Sequence, residues 1–121
     1  MRITHRYTDI FCLRLKQARL ASGMSQKCLG IAAGIDEFVA STRINRYEKG
    51  VHEPGTEIVQ KLAEVLRVPL AYFYAEDDGL AELMLSFWSL PEVDRTDIIS
   101  YVKKKHMAKT EDNKRPIKNK G

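Results

Sequence analysis

Side chains that can hydrogen-bond to the edges of nucleic-acid bases are concentrated in one short stretch of the sequence. Arg43 and Arg46 each carry a guanidinium that can pair with O6 and N7 of guanine, and Asn45 can meet adenine. Ser41 and Thr42 carry short hydroxyl side chains that can reach either a base or a phosphate. These residue types are among those that can read base edges when a fold presents them together.

Four polar side chains flank this stretch and suit contacts with the phosphate backbone: Gln26, Lys27, Lys49 and His52. A simpler alternative applies to the cations among all these residues, because Arg and Lys on a small helix are usually just solvated. Residue type alone does not separate the two readings. The decision depends on the elements that carry the side chains.

Catalytic and metal-binding chemistry has little support in the sequence. The three histidines, His5, His52 and His106, are dispersed and give no ligand spacing. The acidic run at 76–78 is better explained as the N-terminal cap of a helix than as a cation site. Neither a Ser/His/Asp or Cys/His grouping nor a glycine-rich phosphate loop is visible. We therefore expect no catalytic residue, metal, cofactor or small-molecule ligand, and a protein that is not an enzyme.

The elements that must position these side chains are short helices separated by Gly, Pro and Asp. Strand-like alternation is nearly absent, which predicts an all-α fold. The first three predicted helices span about residues 10–22, 26–33 and 36–47, and four more begin near residues 56, 69, 77 and 91. Thr8 or Asp9 is predicted to cap the first helix, Ser25 the second and Asp36 the third. The 3.6-residue period places Leu15 on the inner face of the first helix and Leu62 on that of the fourth.

Composition places the chain among globular proteins of a reducing cytoplasm. Of its 121 residues, 44% are hydrophobic and 30% are charged, which is not the composition of a disordered chain. No stretch approaches the roughly 20 apolar residues that a membrane span requires. Cys12 and Cys28 are too few for a disulfide framework. Both lie at helical positions suited to packing, so we expect them in the core.

Charge is distributed unevenly along the chain. Residues 1–52 carry nine Lys or Arg and four Asp or Glu, whereas residues 53–102 carry three and ten. Residues 103–121 are basic again, with eight against two. A basic front half can meet a polyanion while the acidic segment discourages nonspecific adhesion. Ordinary solvated charge is an equally good explanation of the composition alone.

One string of residues matches the pattern of a known protein family. It consists of Met24-Ser25-Gln26, Leu29, Gly34-Ile35, Ile44-Asn45-Arg46-Tyr47-Glu48-Lys49-Gly50, Pro54, Leu62-Ala63, Leu66 and Val68. This string resembles the Cro/C1-type (XRE) helix-turn-helix family of phage repressors and bacterial regulators. The resemblance covers about residues 11–74.

The resemblance implies a five-helix, lambda-repressor-like domain that binds DNA as a two-fold dimer on a palindromic operator. We expect this domain over residues 1–76, a two-helix extension over 77–102 and a disordered basic tail over 103–121. The family pairs an arginine of the first helix with a glutamate after the third, here Arg19 and Glu48, in a structural salt bridge. Ser25 and Gln26 match the family's phosphate-contacting start of the second helix, where free N–H groups favour an anion.

The sequence departs from the family pattern before Ile44. Nine residues separate Gly34 from Ile44, where the family commonly has five. Four extra residues are about one helical turn, roughly 6 Å, and either a longer third helix or a lengthened turn accommodates them. Counting back from Ile44 assigns the DNA-facing positions of the family to Ser41, Thr42, Arg43 and Arg46, whereas counting forward from Gly34 nominates Glu37 and Phe38. We prefer the backward count, because the run from Ile44 to Gly50 is the firmest anchor.

A second departure is Arg67, where the family usually has glycine after the fourth helix. A non-glycine residue in the left-handed region costs on the order of 1 kcal/mol. We therefore expect this departure to be tolerated.

The segment after the family domain is rich in large apolar residues. We expect Leu80, Leu83, Met84, Phe87 and Trp88 to form a dimer interface, since aromatic residues and Met are enriched in interface cores. The alternative is that this segment folds back over the core of its own chain. The tail from Lys103 either adds phosphate contacts or has no partner.

The function predicted from these observations is a sequence-specific transcriptional regulator, a repressor, that binds double-stranded DNA as a homodimer in the cytoplasm. The second hypothesis is an antitoxin-like or other protein-interaction module, in which the helix-turn-helix serves autoregulation. An enzyme lacks any supporting group of residues. The operator and any effector are not determined by the sequence.

Overall fold

The computed structural model describes the backbone of residues 2–114 and the side chains of residues 7–113. Within this range the chain is entirely helical. Its elements are α1 (Arg2–Ser22), α2 (Gln26–Ala32), α3 (Ala40–Lys49), α4 (Thr56–Leu66), a 3₁₀ helix (Leu70–Tyr74), α5 (Asp78–Trp88) and α6 (Glu92–Lys114). The predicted all-α fold with a five-helix domain is confirmed, the 3₁₀ helix being the fifth of these helices.

The chain divides into two compact units, residues 1–88 and 89–121. The boundary lies inside the 77–102 segment that the sequence treats as one extension. In the first unit, α1 to α4 and the 3₁₀ helix surround one hydrophobic core. Its largest fully buried side chains, one from each of these helices, are Leu15, Leu29, Ile44, Leu62 and Phe73. In α4 the buried residues Val59, Leu62, Ala63 and Leu66 follow the 3.6-residue period.

The first helix is longer than its predicted span. Thr8 was a predicted N-terminal cap, but α1 already begins at Arg2 and Thr8 lies in its interior. Its hydroxyl donates to Oε2 of Glu53 at 2.8 Å. The prediction was wrong because no glycine or proline interrupts residues 2–22, so a good cap residue did not mark a helix start.

The second helix begins as predicted but buries a different face. Ser25 accepts a hydrogen bond from the backbone N–H of Cys28 at 3.0 Å, which caps α2. Leu29, Gly30 and Ala33 are buried, whereas Cys28 is exposed. The prediction of a core Cys28 was therefore wrong, because the inner face of α2 is one residue further along the helix. Cys12 is half-buried.

The four extra residues lengthen the turn and leave the third helix short. Residues 37–39 form a turn, and α3 begins only at Ala40, four residues later than the predicted start. Asp36 closes this turn: its carboxylate accepts from the N–H of Phe38 at 3.0 Å, and its carbonyl accepts from the N–H of Val39 at 3.1 Å. Asp36 therefore acts as a turn residue rather than as the cap of α3.

The fourth helix ends as the sequence indicates. Arg67 adopts the left-handed conformation, with φ of 59°. Its backbone N–H donates to the carbonyl of Glu64 at 3.3 Å, which ends α4. Leu66 and Val68 remain buried on either side of it.

Helix α5 packs one face against the core of the first unit. Asp77 caps it by accepting from the N–H of Leu80 at 2.7 Å. Ala81 is buried, and Met84 and Leu85 pack partly against the core. The sequence alternative in which the segment folds back over its own chain therefore holds for this face of α5.

The second unit contains α6, which runs to Lys114. Residues 103–114 were predicted to be disordered because they have little to bury, and this prediction was wrong for them. Lys, Ala, Met and Glu are good helix formers, and no glycine or proline lies between 92 and 114. The rest of the predicted tail, 115–121, lies outside the described residues. Within the described range, none of the helices is long and apolar enough to span a membrane.

Candidate nucleic-acid interface

Helix α3 separates its side chains into a buried face and an exposed face. Ala40, Ile44 and Tyr47 point into the core. The exposed residues of the helix include most of the predicted base-contacting set, namely Ser41, Thr42, Arg43 and Arg46. Lys49, which is predicted to contact phosphate, is also exposed. Asn45 is half-buried at the edge of this face. The backward count from Ile44 thus gives one continuous polar surface on α3.

Arg43 is held in place by the residue one turn further along. Its Nη2 donates to the hydroxyl of Tyr47 at 2.8 Å, and its guanidinium lies 5.9 Å from the centre of the Tyr47 ring. The Tyr47 ring is itself buried. A rigid aromatic side chain therefore restricts an exposed arginine that was predicted to contact a base.

Arg19 and Glu48 form the ion pair that the family resemblance implied. Nε of Arg19 lies 2.6 Å from Oε2 of Glu48, and Nη2 lies 3.2 Å from Oε1, so the pair is bidentate. Arg19 also donates to the carbonyl of Met24 at 3.0 Å. Both side chains are largely buried, at 12% and 4% exposure. The pair joins the end of α1 to the end of α3.

Gln26 belongs to the same cluster. Its Nε2 donates to Oε1 of Glu48 at 3.0 Å. This bond fixes Gln26 at the first position of α2. Lys27 follows on α2 with an exposed side chain.

His52 lies in the loop after α3, away from the start of that helix. Its backbone N–H donates to the carbonyl of Arg46 at 3.4 Å, and its side chain is exposed. With Tyr7, Tyr47, Glu53 and Tyr74 it lines a cavity of about 440 Å³. Burial, together with the carboxylate of Glu53, raises the pKa of the Tyr74 phenol.

Cys12 of α1 contacts the last turn of α3. Its Sγ donates to the carbonyl of Tyr47 at 3.2 Å. Burial is the main cause that raises the pKa of this thiol, and Asp9 adds to the effect. The thiol is therefore held in its neutral form at physiological pH. Among the side chains that the structure describes, no three His, Cys, Asp or Glu form a metal site.

Sequence reasoning missed Arg14. This arginine is 3% exposed. Its Nε donates to the carbonyl of Ala75 at 2.9 Å, and its Nη2 donates to the carbonyl of Glu76 at 3.3 Å and to Asp78 at 3.0 Å. Its place among the apolar residues of α1, one residue before the buried Leu15, is the signal that could have found it.

Comparison with a solved structure decides the family. The crystal structure of the transcriptional regulator BswR is 43% identical to this chain and has a TM-score of 0.74. The likeness covers 77% of this chain and 92% of that one. A helix-turn-helix family model also matches residues 15–73.

The chain belongs to the Cro/C1-type helix-turn-helix family. Two further relatives are named as uncharacterised HTH-type transcriptional regulators, one from Sinorhizobium medicae (strain WSM419) and one from Rhizobium meliloti (strain 1021). Each is 33% identical over 66 residues, which are 54% of this chain and 45% of the relative. The chain thus spans less than half the length of these curated relatives. What it shares with the helix-turn-helix family includes α2, α3 and the core beneath them.

Proposed function

We propose that this chain is a sequence-specific transcriptional regulator, a repressor, that binds a palindromic operator as a homodimer. The observation that carries the proposal is the exposed polar face of α3. Ser41, Thr42, Arg43 and Arg46 face outward while Ala40, Ile44 and Tyr47 anchor the helix in the core. A helix held in this way can enter the major groove and place donors at base edges.

The neighbouring groups suit contacts with the phosphate backbone. Gln26 lies at the start of α2, fixed by Glu48, and Lys27 follows it. Lys49 and His52 lie at the opposite end of α3 from Ser41. Phosphate contacts on both sides of a recognition helix set its register on the duplex.

Helix α5 supports the dimer. Leu80 is 46% exposed and Leu83 is 55% exposed. Both lie on a helix whose other face packs against the core through Ala81. We assign the dimer interface to Leu80, Leu83, Met84, Phe87 and Trp88, because large apolar and aromatic side chains are favoured at interface cores.

The DNA-binding part is tested by selecting sequences from a random DNA pool with the full chain. We expect a two-fold symmetric sequence to be enriched. Arg46→Ala should then relax one base position at a cost of about 1–3 kcal/mol. Lys16→Ala, which removes an exposed cation of α1 outside the proposed interface, is the matched control. A pool that yields no preferred sequence would refute the proposed function.

Salt dependence tests the phosphate contacts separately. With about six phosphates neutralised per dimer, log affinity should fall with log salt at a slope of roughly −5. A slope near zero would contradict the assignment of Lys27 and Lys49 as phosphate contacts. Repression is tested with a reporter gene whose promoter overlaps the selected sequence; activation of that gene would contradict it.

Sedimentation of the full chain tests the dimer. Leu83→Glu should shift the protein from dimer to monomer, because a charge would be buried without a partner. Val51→Glu places the same charge on another exposed apolar residue and should leave the dimer intact. If the unchanged chain is a monomer, the exposed leucines of α5 favour the second candidate function, an antitoxin-like module that binds another protein.

A further inference from the structure

The lengthened turn before α3 exposes a phenylalanine. Phe38 is 86% exposed, the highest value among the exposed large hydrophobic side chains of the described residues. The turn that carries it is closed by two hydrogen bonds to Asp36, one from the N–H of Phe38 and one from the N–H of Val39. The ring is therefore presented to solvent by an ordered backbone.

Phe38 lies close along the chain to the residues proposed to meet bases. It is two residues before Ala40, the first residue of α3, and three before Ser41. Three residues span at most about 11 Å between Cα atoms. In helix-turn-helix proteins the recognition helix contacts base edges with its N-terminal residues. The four extra residues thus add an apolar side chain at the end of α3 that would enter the groove.

The charge of this turn excludes ionic contacts with phosphate. Residues 35–42 include no lysine or arginine, and the two charged residues among them are Asp36 and Glu37. Any favourable contact that the turn makes with DNA must therefore be apolar or a hydrogen bond. Only one group in the major groove is apolar, the C5-methyl of thymine.

We propose that Phe38 packs against the C5-methyl group of a thymine in the operator and so determines a base position that the polar face of α3 does not read. This inference rests on the proposed function, because it requires α3 to lie in the major groove. Contact removes both the exposed ring and the methyl group from water, which is favourable. It selects thymine over cytosine at that position.

The experiment removes the methyl group and the ring separately. Each thymine of the selected operator is replaced in turn by uracil, which differs only in lacking the methyl group. Affinities are measured for the full chain and for Phe38→Ala, Phe38→Leu and Val51→Ala. Val51→Ala truncates an exposed apolar residue beyond the opposite end of α3 and is the matched control.

We expect one thymine at which uracil weakens binding about four-fold, the effect of one buried methyl-sized group. Phe38→Ala should lose that discrimination entirely, Phe38→Leu should keep part of it, and Val51→Ala should keep all of it. Equal uracil effects in the unchanged chain and Phe38→Ala, or an operator without a coupled thymine, would overturn the inference while leaving the proposed function intact. Failure to select any operator would instead overturn the proposed function.

Discussion

A Cβ atom at residue 30 would lie 2.7 Å from the Cβ of Ala40, so Gly30 and Ala40 set the distance between α2 and α3. The backbone of Ala40 is also close, with its Cα and carbonyl oxygen 3.0 Å from the same point. Residue 30 is buried, and an outward shift of α3 would cost the core contacts of Ala40, Ile44 and Tyr47. The glycine therefore permits the close approach of the two helices of the motif.

Gly30→Ala should destabilise the domain. Alanine favours a helix by about 1 kcal/mol over glycine, but the overlap with Ala40 should outweigh this gain and lower the free energy of unfolding by about 1–3 kcal/mol. Urea unfolding measures the difference. Gly55→Ala, where an added Cβ meets nothing within 4 Å, is the control and should cost only the difference between a glycine and an alanine N-cap of α4, about 1 kcal/mol or less. A stabilised Gly30→Ala protein would show that the helices can separate freely.

Arg14→Met should lower the free energy of unfolding far more than removing the charge of its partner Asp78 does. Methionine leaves the carbonyls of Ala75 and Glu76 without the donor that now serves them, and we expect a loss of about 3 kcal/mol. Asp78→Asn removes only the charge of a side chain that is 90% exposed and should cost about 0.5 kcal/mol or less. Urea unfolding of both variants checks the order. Equal losses would mean that the ion pair, and not the carbonyl contacts, stabilises this junction.

Tyr47→Phe should change DNA binding more than stability. The ring stays buried, while the acceptor of the 2.8 Å bond from Arg43 disappears. We expect a stability loss below about 1 kcal/mol, since Arg43 is exposed, and an operator affinity several-fold weaker. The loss should be absent when Tyr47→Phe is made in an Arg43→Ala background. An undiminished loss in that background would show that Tyr47 does not act through Arg43.

Arg67→Gly should stabilise the chain. Arg67 has a φ of 59°, a conformation that glycine adopts without strain. We expect a gain of about 0.5–1 kcal/mol, partly offset because glycine also makes the unfolded chain more flexible. Thermal unfolding measures it. Arg67→Ala keeps the strain and loses only the side chain, so a gain in both variants would contradict the backbone explanation.

Stability should fall at alkaline pH partly through Cys12. Burial raises the pKa of this thiol, so the folded chain holds its proton more tightly than the unfolded chain does. The resulting stabilisation is complete below the ordinary thiol pKa and is lost as the pH rises through the raised value. Unfolding free energies above pH 9 should decline less steeply for Cys12→Ser. Cys28→Ser, at an exposed position, should behave like the unchanged chain.

The motif and the core were predictable because they depend on local sequence. Helical periodicity identified Leu15, Leu62 and their neighbours as core residues, and Ser25 carried its own cap signal. Counting back from the run Ile44 to Gly50 predicted the exposed face of α3 correctly. Once one position of a helix is known to be buried, the helical period determines which other positions are exposed. Whether that face contacts DNA stays a prediction.

What failed depends on distant contacts or on weak local preferences. The inner face of α2 was predicted one residue too early, so Cys28 was expected in the core. On so short a helix the apolar period is compatible with either face being buried. The partners of Arg14 could not be identified from the sequence, because the carbonyls that it binds lie more than 60 residues away along the chain. The sequence left open whether the four extra residues lengthen the third helix or the turn before it. The hydrogen bond from the N–H of Phe38 to the carboxylate of Asp36 shows that they lengthen the turn.

The position of Arg14 has a consequence for the geometry of the operator. Arg14 donates hydrogen bonds from α1 to the carbonyls of Ala75 and Glu76, immediately before α5. Helix α1 also pairs with the end of α3 through Arg19. In the proposed dimer through α5, the side chain of Arg14 is one of the contacts that set the distance between the two recognition helices. The proposed spacing between operator half-sites then depends in part on residue 14, far from any base. Substitutions there are expected to change the spacing that the dimer accepts and to leave the sequence of each half-site unchanged.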